Sequence, residues 1–195
     1  MYMRRLFLLS LALPLLHGCF AVVAGGAVTG ANVVHDRRSF GRVLEDRNLQ
    51  LSVVDKINRD KELVRDNNHV KVVVYDGVML LCGQLRSAEL KQRVQGIAES
   101  FEGMTRLVND IEVTDAPQGF WRRRQDNAQS ARVKTALLDI TSMPGFDPTR
   151  INVTAAHGVV YLMGLVTHEE DEAATEIARN VSGVDKVVKV FEYTD

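Results

Sequence analysis

The sequence predicts an α+β fold of two tandem α-β-β-α-β domains, each a small three-stranded mixed sheet covered by two helices. The first observation is a repeated pattern, an apolar strand between two glycines, at 77–83 and again 81 positions later at 158–164. The second is that the residues after each strand also match, at an offset of 80, as Gly103 does with Gly183. An internal duplication of about seventy residues therefore organises the chain, and it predicts two similar domains.

The first repeat begins with a helix, because Leu49, Val53 and Ile57 recur at helical spacing. Two apolar runs follow at 70–74 and 78–82, with a glycine in the short turn between them. They predict a β-hairpin, since glycine supplies the positive φ that a tight turn requires. A second amphipathic helix and a last strand complete the unit.

The second repeat copies this order. Its first helix is expected near 128–140, and its hairpin turns at 156–158. A second helix is expected over 167–181, where Thr167 begins a capping box, and a strand over 187–193. Both repeats therefore predict the same α-β-β-α-β unit.

The second strand of each hairpin is apolar on both faces. In the first repeat, Met79 and Leu81 lie on one side, and Leu80 and Cys82 on the other. A sheet covered on one face by two helices should have a polar second face. We therefore expect the outer face to be partly buried by the other repeat. Cys82 is then a small strand hydrophobe rather than a reactive thiol.

The N-terminus has the pattern of an export signal. Residues 1–18 combine two arginines, a short apolar core and small residues before Cys19. The motif Leu-His-Gly-Cys at 16–19 resembles a bacterial lipobox, which predicts that Cys19 is acylated and becomes the new N-terminus. Phe20 follows it rather than Asp, which is similar to lipoproteins that are sorted to the outer membrane in Gram-negative bacteria. The alternative is an uncleaved transmembrane anchor over 6–28.

These patterns give the predicted domain organisation. After the signal peptide come a lipidated N-terminus and flexible tether at 19–45, the first domain at 46–115, a linker at 116–126 and the second domain at 127–195. The net charge of −1 excludes a global attraction to nucleic acid or to anionic surfaces. Any attraction to phosphate or anionic lipid must therefore be local.

The predicted linker carries the most functional information. After a proline and a glycine, which favour a linker, it holds Phe120, the single tryptophan Trp121 and the arginines Arg122, Arg123 and Arg124. An interfacial site needs an amphipathic ring at headgroup depth with cations beside it, and this run supplies both. Two interpretations stay open: Trp121 inserts into lipid, or it packs on the domain within a solvated linker.

The duplicated unit behind a lipobox resembles the BON domain family, and its most specific piece is Val-Val-Tyr-Leu-Met-Gly-Leu-Val-Thr at 159–167. The whole chain is similar to dual-domain outer-membrane lipoproteins of that family. The resemblance implies a lipid-anchored protein on the periplasmic side of the outer membrane. Such a protein binds anionic phospholipids of the inner leaflet, gathers at the division site and supports envelope integrity.

The resemblance also implies where lipid is bound. The second domain is expected to meet the lipid through its first helix and the neighbouring loops, with an aromatic residue near the helix start. This sequence departs there, because Asn127 and Ala128 occupy the expected start. The candidate lipid-binding residues are Phe120, Trp121, Arg122, Arg123, Arg124, Ala128, Arg132, Lys134 and Leu138.

Other functions receive less support from the sequence. It contains no cysteine pair, nucleophile elbow or phosphate loop, and its histidines lack metal-binding spacing. We therefore expect no enzymatic activity, no cofactor, no metal and no nucleic acid partner. The alternative function is a protein-interaction module that docks on envelope assembly or cell-wall enzymes through the exposed apolar sheet face. It predicts binding that is insensitive to lipid charge.

Overall fold

The computed structural model describes residues 36–140 and 143–195, which contain two α-β-β-α-β domains in succession. The predicted fold class is confirmed. The signal peptide and Cys19 lie outside the described residues. The elements of the first domain are α1 (Phe40–Arg59), β1 (His69–Tyr75), β2 (Val78–Leu85), α2 (Ala88–Glu99) and β3 (Arg106–Val113). Those of the second are α3 (Phe120–Leu137), a 3-10 turn (Pro148–Arg150), β4 (Asn152–Ala156), β5 (Val159–Val166), α4 (His168–Asn180) and β6 (Lys186–Tyr193).

Both sheets have the same topology. The order is β1-β2-β3 in the first domain and β4-β5-β6 in the second. The first two strands pair antiparallel and the last pairs parallel to the central strand, so each sheet is mixed. The hairpin turns have positive φ at both central residues, Asp76 (50°) and Gly77 (77°), then His157 (52°) and Gly158 (80°). Such turns match the twist of the strands that they join.

The first helix of each domain begins earlier than the sequence analysis placed it. Helix α3 starts at Phe120 and not near residue 128, so 120–126 is helical rather than linker. The prediction was wrong because it searched for an apolar helical period. Two of the four buried residues of α3 are polar, Asp126 and Gln129, so the pattern is invisible to a hydrophobicity count.

A buried aspartate joins each of these helices to the hairpin of its own domain. The Asp46 carboxylate accepts hydrogen bonds from the backbone N–H groups of Asp76 at 2.6 Å and Gly77 at 2.9 Å. Asp126, 80 positions later, accepts from the N–H of His157 at 3.0 Å. These contacts satisfy amides that a tight turn leaves without strand partners. They also hold the N-terminal half of the helix against the sheet.

Each domain has its own core between its sheet and its two helices. In both domains, the helix-facing side chains of the central strand are buried there. The first core includes Leu49, Val53, Ile57, Met79, Leu81, Leu85, Val94 and Ala98. The second includes Val133, Leu137, Val153, Val160, Leu162, Val166, Ala174 and Ala178.

A third apolar cluster joins the outer faces of the two sheets. It includes Leu80 and Cys82 from the first domain and Tyr161 and Met163 from the second, all of them at most 2% exposed. The prediction that the other repeat buries the outer face is therefore confirmed. The Cys82 side chain is buried there, and burial raises the pKa of its thiol to about 12. This face is not exposed, so it is not the docking surface that the protein-interaction alternative assumed.

Polar contacts border this interface. The hydroxyl of Tyr161 donates to Asp110 at 2.8 Å across the two domains. Arg37, just before α1, donates to both carboxylate oxygens of Glu170 at 2.6 and 2.9 Å and to the carbonyl of Leu165 at 2.8 Å. The segment that enters the first domain is thus attached to the second.

Candidate lipid-binding site

Helix α3 presents a long face to solvent. It packs on its sheet through Asp126, Gln129, Val133 and Leu137. On the outward side, Phe120 is 56% exposed, Trp121 75% and Leu138, the C-cap residue, 60%. At 1.5 Å per residue the aromatic end lies about 27 Å from Leu138. The helix therefore carries exposed apolar groups at both ends of its outward side.

The aromatic residues form a cluster with an arginine in the first turn and a half of α3. The ring centroids of Phe120 and Trp121 are 5.6 Å apart in an edge arrangement. The guanidinium carbon of Arg124 lies 5.5 Å from the Phe120 centroid and 6.0 Å from that of Trp121, within cation–π range. Because Trp121 is 75% exposed, the alternative in which it packs on the domain is wrong. Its insertion into lipid stays a prediction.

The cations of α3 have no carboxylate partners in the described part of the chain. No salt bridge there involves Arg122, Arg123, Arg124, Arg132 or Lys134. Within the described ranges, the side chain of Arg122 donates to Gln125 alone, at 3.2 Å. The helix also starts at Gly119 without a side-chain cap and has no acidic residue in its first turn. Cations at a helix N-terminus oppose the helix dipole, so folding of α3 does not explain them.

The structure distributes the candidate residues over three stripes of α3. Phe120, Arg124 and Leu138 follow the outward stripe, because they are four and fourteen residues apart. A second stripe, on one flank, carries Trp121, Ala128 and Arg132, and Arg122 lies further round on that flank. Arg123 and Lys134 share the opposite flank. The nine residues therefore do not form one continuous face.

Arg123 has an electrostatic effect on its own flank. Burial lowers the pKa of His69 to about 4, and the nearby charge of Arg123 contributes in the same direction. His69 is thus neutral at physiological pH. The charge on this flank comes from the basic side chains.

A cleft that the sequence did not predict lies beside the flank that carries Arg122 and Arg132. Its volume is about 420 Å³, and it lies between α3, the β4–β5 turn and the turn at Gly183. The side chain of Gln129 donates to the carbonyl of Gly183 and so ties the helix to that turn. The further lining residues are Gln118, Gln125, Asp126, Ala128, His157, Gly158 and Asp185. A position-by-position comparison of the two repeats could have identified these lining residues from the sequence.

Two properties of residues 36–140 and 143–195 bear on the class of site. No helix in these ranges is both long and apolar enough to cross a membrane. The same ranges contain no cluster of three or more His, Cys, Asp or Glu side chains that could hold a metal ion.

Comparisons with known proteins give consistent matches. The model of the BON domain matches residues 45–115 and 125–195. The chain is 31% identical over 193 residues to the outer membrane lipoprotein DolP of Haemophilus influenzae, covering 99% of this chain and 97% of the relative. It is 31% identical over 158 residues to a 21 kDa hemolysin of Actinobacillus pleuropneumoniae, covering 81% and 79%.

Solved structures give a weaker match. The C-terminal domain of CdsD, a structural protein of the type III secretion system of Chlamydia trachomatis, is 10% identical with a TM-score of 0.29. The alignment covers 76% of this chain and 98% of that domain. At this TM-score the likeness does not bear on function.

Proposed function

The chain belongs to the BON domain family as a two-domain lipoprotein, and on that basis we propose that it is anchored in the outer membrane and binds anionic phospholipid through α3. The described domains face the periplasm in this proposal, and the lipid belongs to the inner leaflet. Enrichment at the division site and support of envelope integrity belong to the same proposal. No catalytic step is part of it.

The observation that carries the proposal is the start of α3. Trp121 is 75% exposed, and it adjoins arginines that no carboxylate neutralises in the described ranges. An amphipathic ring prefers the level of the lipid headgroups, and each basic residue near an anionic surface contributes about 1 kcal/mol. Three or four such residues then give about a hundredfold to a thousandfold preference for anionic lipid.

This preference is weak for a protein in solution but sufficient for a tethered one. Acyl chains on Cys19 would hold the protein at the same leaflet, and two or more chains give stable anchoring. The tether then raises the effective lipid concentration that α3 experiences. Lipidation of Cys19 is the part of the proposal that lies outside the described residues.

The first domain provides a contrast that supports the choice of α3. Phe40 and Phe120 are the first residues of α1 and α3, and each is 56% exposed. Gly41 follows Phe40 where Trp121 follows Phe120. The next arginine of α1, Arg42, contacts Asp76 at 3.0 Å. The first domain therefore has the same helix start without the tryptophan and without the unneutralised arginines.

The experiment uses a soluble form of residues 20–195, which contains every residue of the three apolar clusters. It is sedimented with phosphatidylcholine vesicles that contain or lack phosphatidylglycerol, while the fluorescence of Trp121 is followed. Because this form lacks the acyl anchor, we expect weak binding that is detected at high lipid concentration and only with anionic vesicles, with a blue shift, and loss of binding at high salt. Binding that is equal for both vesicle types would refute the proposal.

Substitutions locate the contact. Phe120→Glu and Trp121→Glu should each abolish binding, because both place a charge where an apolar ring meets lipid. Phe40→Glu is the matched control, since Phe40 has the same exposure and helix position in the other domain. If Phe40→Glu weakens binding as much as Phe120→Glu, the assignment of lipid binding to α3 is wrong.

A protein-docking function has one observation in its favour. The outward side of α1 exposes Phe40 (56%), Leu44 (50%) and Leu51 (49%), which fall on one stripe. Binding of a partner protein there would not depend on the charge of the lipid. Leu44→Glu would then remove the partner but leave vesicle binding intact.

A further inference from the structure

The cleft beside α3 has a counterpart in the first domain, and the two differ in charge. The counterpart has a volume of about 320 Å³ and lies in the same place relative to its helix. It is lined by Arg42, Glu45, Asn48, Leu49, Ser52, Phe101, Glu102 and Gly103. At the repeat offset, these match Arg122, Gln125, Ala128, Gln129, Arg132, Val181, Ser182 and Gly183. The duplication thus supplies a built-in reference for the second cleft.

In the first domain the arginine of the cleft is neutralised. Arg42 contacts Asp76 at 3.0 Å, Glu45 at 3.5 Å and Asp46 at 3.7 Å. Burial would lower the pKa of Arg42, but the hydrogen bond to Asp76 and the neighbouring carboxylates raise it above its usual value. The guanidinium therefore serves to close the β1–β2 turn. Glu102 also lines this cleft, and Arg42 is the one cation among its described lining residues.

In the second domain three of these acids are replaced by residues without a carboxylate. His157 stands in the place of Asp76, Gln125 in that of Glu45, and Ser182 in that of Glu102. A second cation, Arg132, replaces Ser52. The β4–β5 turn has no carboxylate side chain, so Arg122, which matches Arg42, does not form an ion pair with it.

One acid is gained in exchange. Asp185 replaces Thr105, and its carboxylate lies over Gly158, where Arg42 lies over Gly77 in the first domain. Asp126 is at the same end, bound to the backbone of His157. The cleft is therefore polarised, with carboxylates at the hairpin and Arg122 and Arg132 along the helix.

The lining of the cleft includes the side chain of His157. His157 Nδ1 lies 3.2 Å from the side-chain oxygen of Gln118, whereas its buried Nε2 has no hydrogen-bond partner among residues 36–140 and 143–195. Buried polar atoms nearly always have a hydrogen-bond partner, either in the protein or in ordered water. Gln125 and Gln129 add amide groups to the wall.

We propose that this cleft binds a phosphate ester that carries a hydrogen-bond donor, with the phosphate at Arg132 and the donor at Asp185, while Arg122 adds positive charge to the same cleft. Arginine binds phosphate through several N–H groups, and an exposed carboxylate accepts from a hydroxyl group. This deepens and rests on the proposed function, because Trp121, Ala128 and Arg132 share one stripe of α3. A lipid whose headgroup occupies the cleft would have its acyl chains beside Trp121.

The first test measures the cleft without a membrane. Amide resonances of residues 20–195 are followed by NMR during titration with sn-glycerol 1-phosphate or with methyl phosphate, which lacks the donor. We expect shifts at Gly158 and Gly183 with both ligands and tighter binding of glycerol phosphate. Arg132→Gln should remove the shifts, and Asp185→Asn should remove the preference. No shifts at these amides, or shifts that Arg132→Gln leaves unchanged, would overturn the proposal.

The second test compares two cations of α3 on phosphatidylglycerol vesicles. Arg132→Gln and Lys134→Gln remove the same charge from opposite flanks of one helix. Loss of one basic residue from an anionic interface weakens binding about fivefold. We expect a loss of that size for Lys134→Gln and a larger one for Arg132→Gln. Equal losses would mean that the vesicle surface acts only through its charge, and the headgroup assignment would be wrong.

The two tests separate this inference from the proposed function. Trp121→Ala should weaken vesicle binding but leave the glycerol phosphate shifts at Gly158 and Gly183 unchanged. If the shifts occur while the wild-type protein does not bind vesicles, the cleft is a site for free phosphate esters and the lipid proposal fails. If vesicles bind while no shifts occur, the lipid proposal stands and the cleft inference fails.

Discussion

The buried aspartates that attach α1 and α3 to their hairpins provide a graded stability test. Asp126 is 5% exposed and accepts one backbone hydrogen bond, from His157 at 3.0 Å. A hydrogen bond to a charged group contributes about 1.5–3 kcal/mol, and its loss leaves the turn amide buried and unpaired. We therefore expect Asp126→Ala to lower the free energy of unfolding by about 2 kcal/mol. Asp126→Asn keeps the acceptor oxygen and should cost about 1 kcal/mol.

The same substitution in the first domain should cost more. Asp46 is 3% exposed, accepts from two backbone amides and pairs with Arg38 at 2.8 Å. Removal of one partner of a buried ion pair costs about 3–5 kcal/mol. Asp46→Ala is therefore expected to cost about 4 kcal/mol, twice the value for Asp126→Ala.

Urea unfolding followed by circular dichroism measures these differences, with vesicle binding as a second readout. Asp126→Ala should also weaken vesicle binding, because the first turns of α3 lose their attachment to the β4–β5 turn. If Asp126→Asn costs as much as Asp126→Ala, the hydrogen bond is not the source of the stability. If Asp46→Ala lowers the free energy of unfolding by no more than Asp126→Ala does, the number of hydrogen-bond and ion-pair partners of the aspartate does not determine the loss of stability.

Three further predictions follow from the interface and from the titrating groups. Leu80→Ala, in the cluster between the sheets, should lower the free energy of unfolding by about 2–5 kcal/mol, measured by urea unfolding; a change below 1 kcal/mol would mean that the domains do not depend on this contact. The pKa of Asp171 is below its usual value: burial alone would raise it, but hydrogen bonds from Lys189, Tyr193 and Thr175 lower it. The stabilisation that ionised Asp171 contributes is present above its pKa in the unfolded state and is lost as pH falls through its pKa in the folded state. Tyr193→Phe should therefore weaken the fall of the melting temperature with decreasing pH. An unchanged acid dependence of the melting temperature would contradict this. Cys82, with its pKa near 12, should react with a maleimide only after unfolding, and rapid labelling of the folded protein would show that the interface opens.

The fold could be predicted because its signals are local and repeated. The alternation at 78–82 and its copy identify the central strands, and glycine at 77 and 158 identifies the turns. The apolar character of both strand faces was enough to predict that the sheets pack on each other. These features depend on residue type and spacing alone.

The start of α3 could not be predicted in the same way. Its inward positions in the first turns are polar, and Asp126 is buried because a turn amide 31 residues away requires an acceptor. A pattern search treats such a position as exposed. The error moved Trp121 into a linker, although it is the second residue of the helix. The aromatic residue near the helix start that the family resemblance implied is therefore present.

The sequence by itself determined the duplication, the order of the elements, the apolar face between the domains and the identity of the candidate lipid-binding residues. Only the tertiary structure decided which of those residues share a stripe of α3 and which cations are left without carboxylates. It also revealed the cleft at Gly183. The physical reason is that charge neutralisation depends on pairs such as Arg42 with Asp76, which are 34 residues apart and meet only when the helix packs against the hairpin.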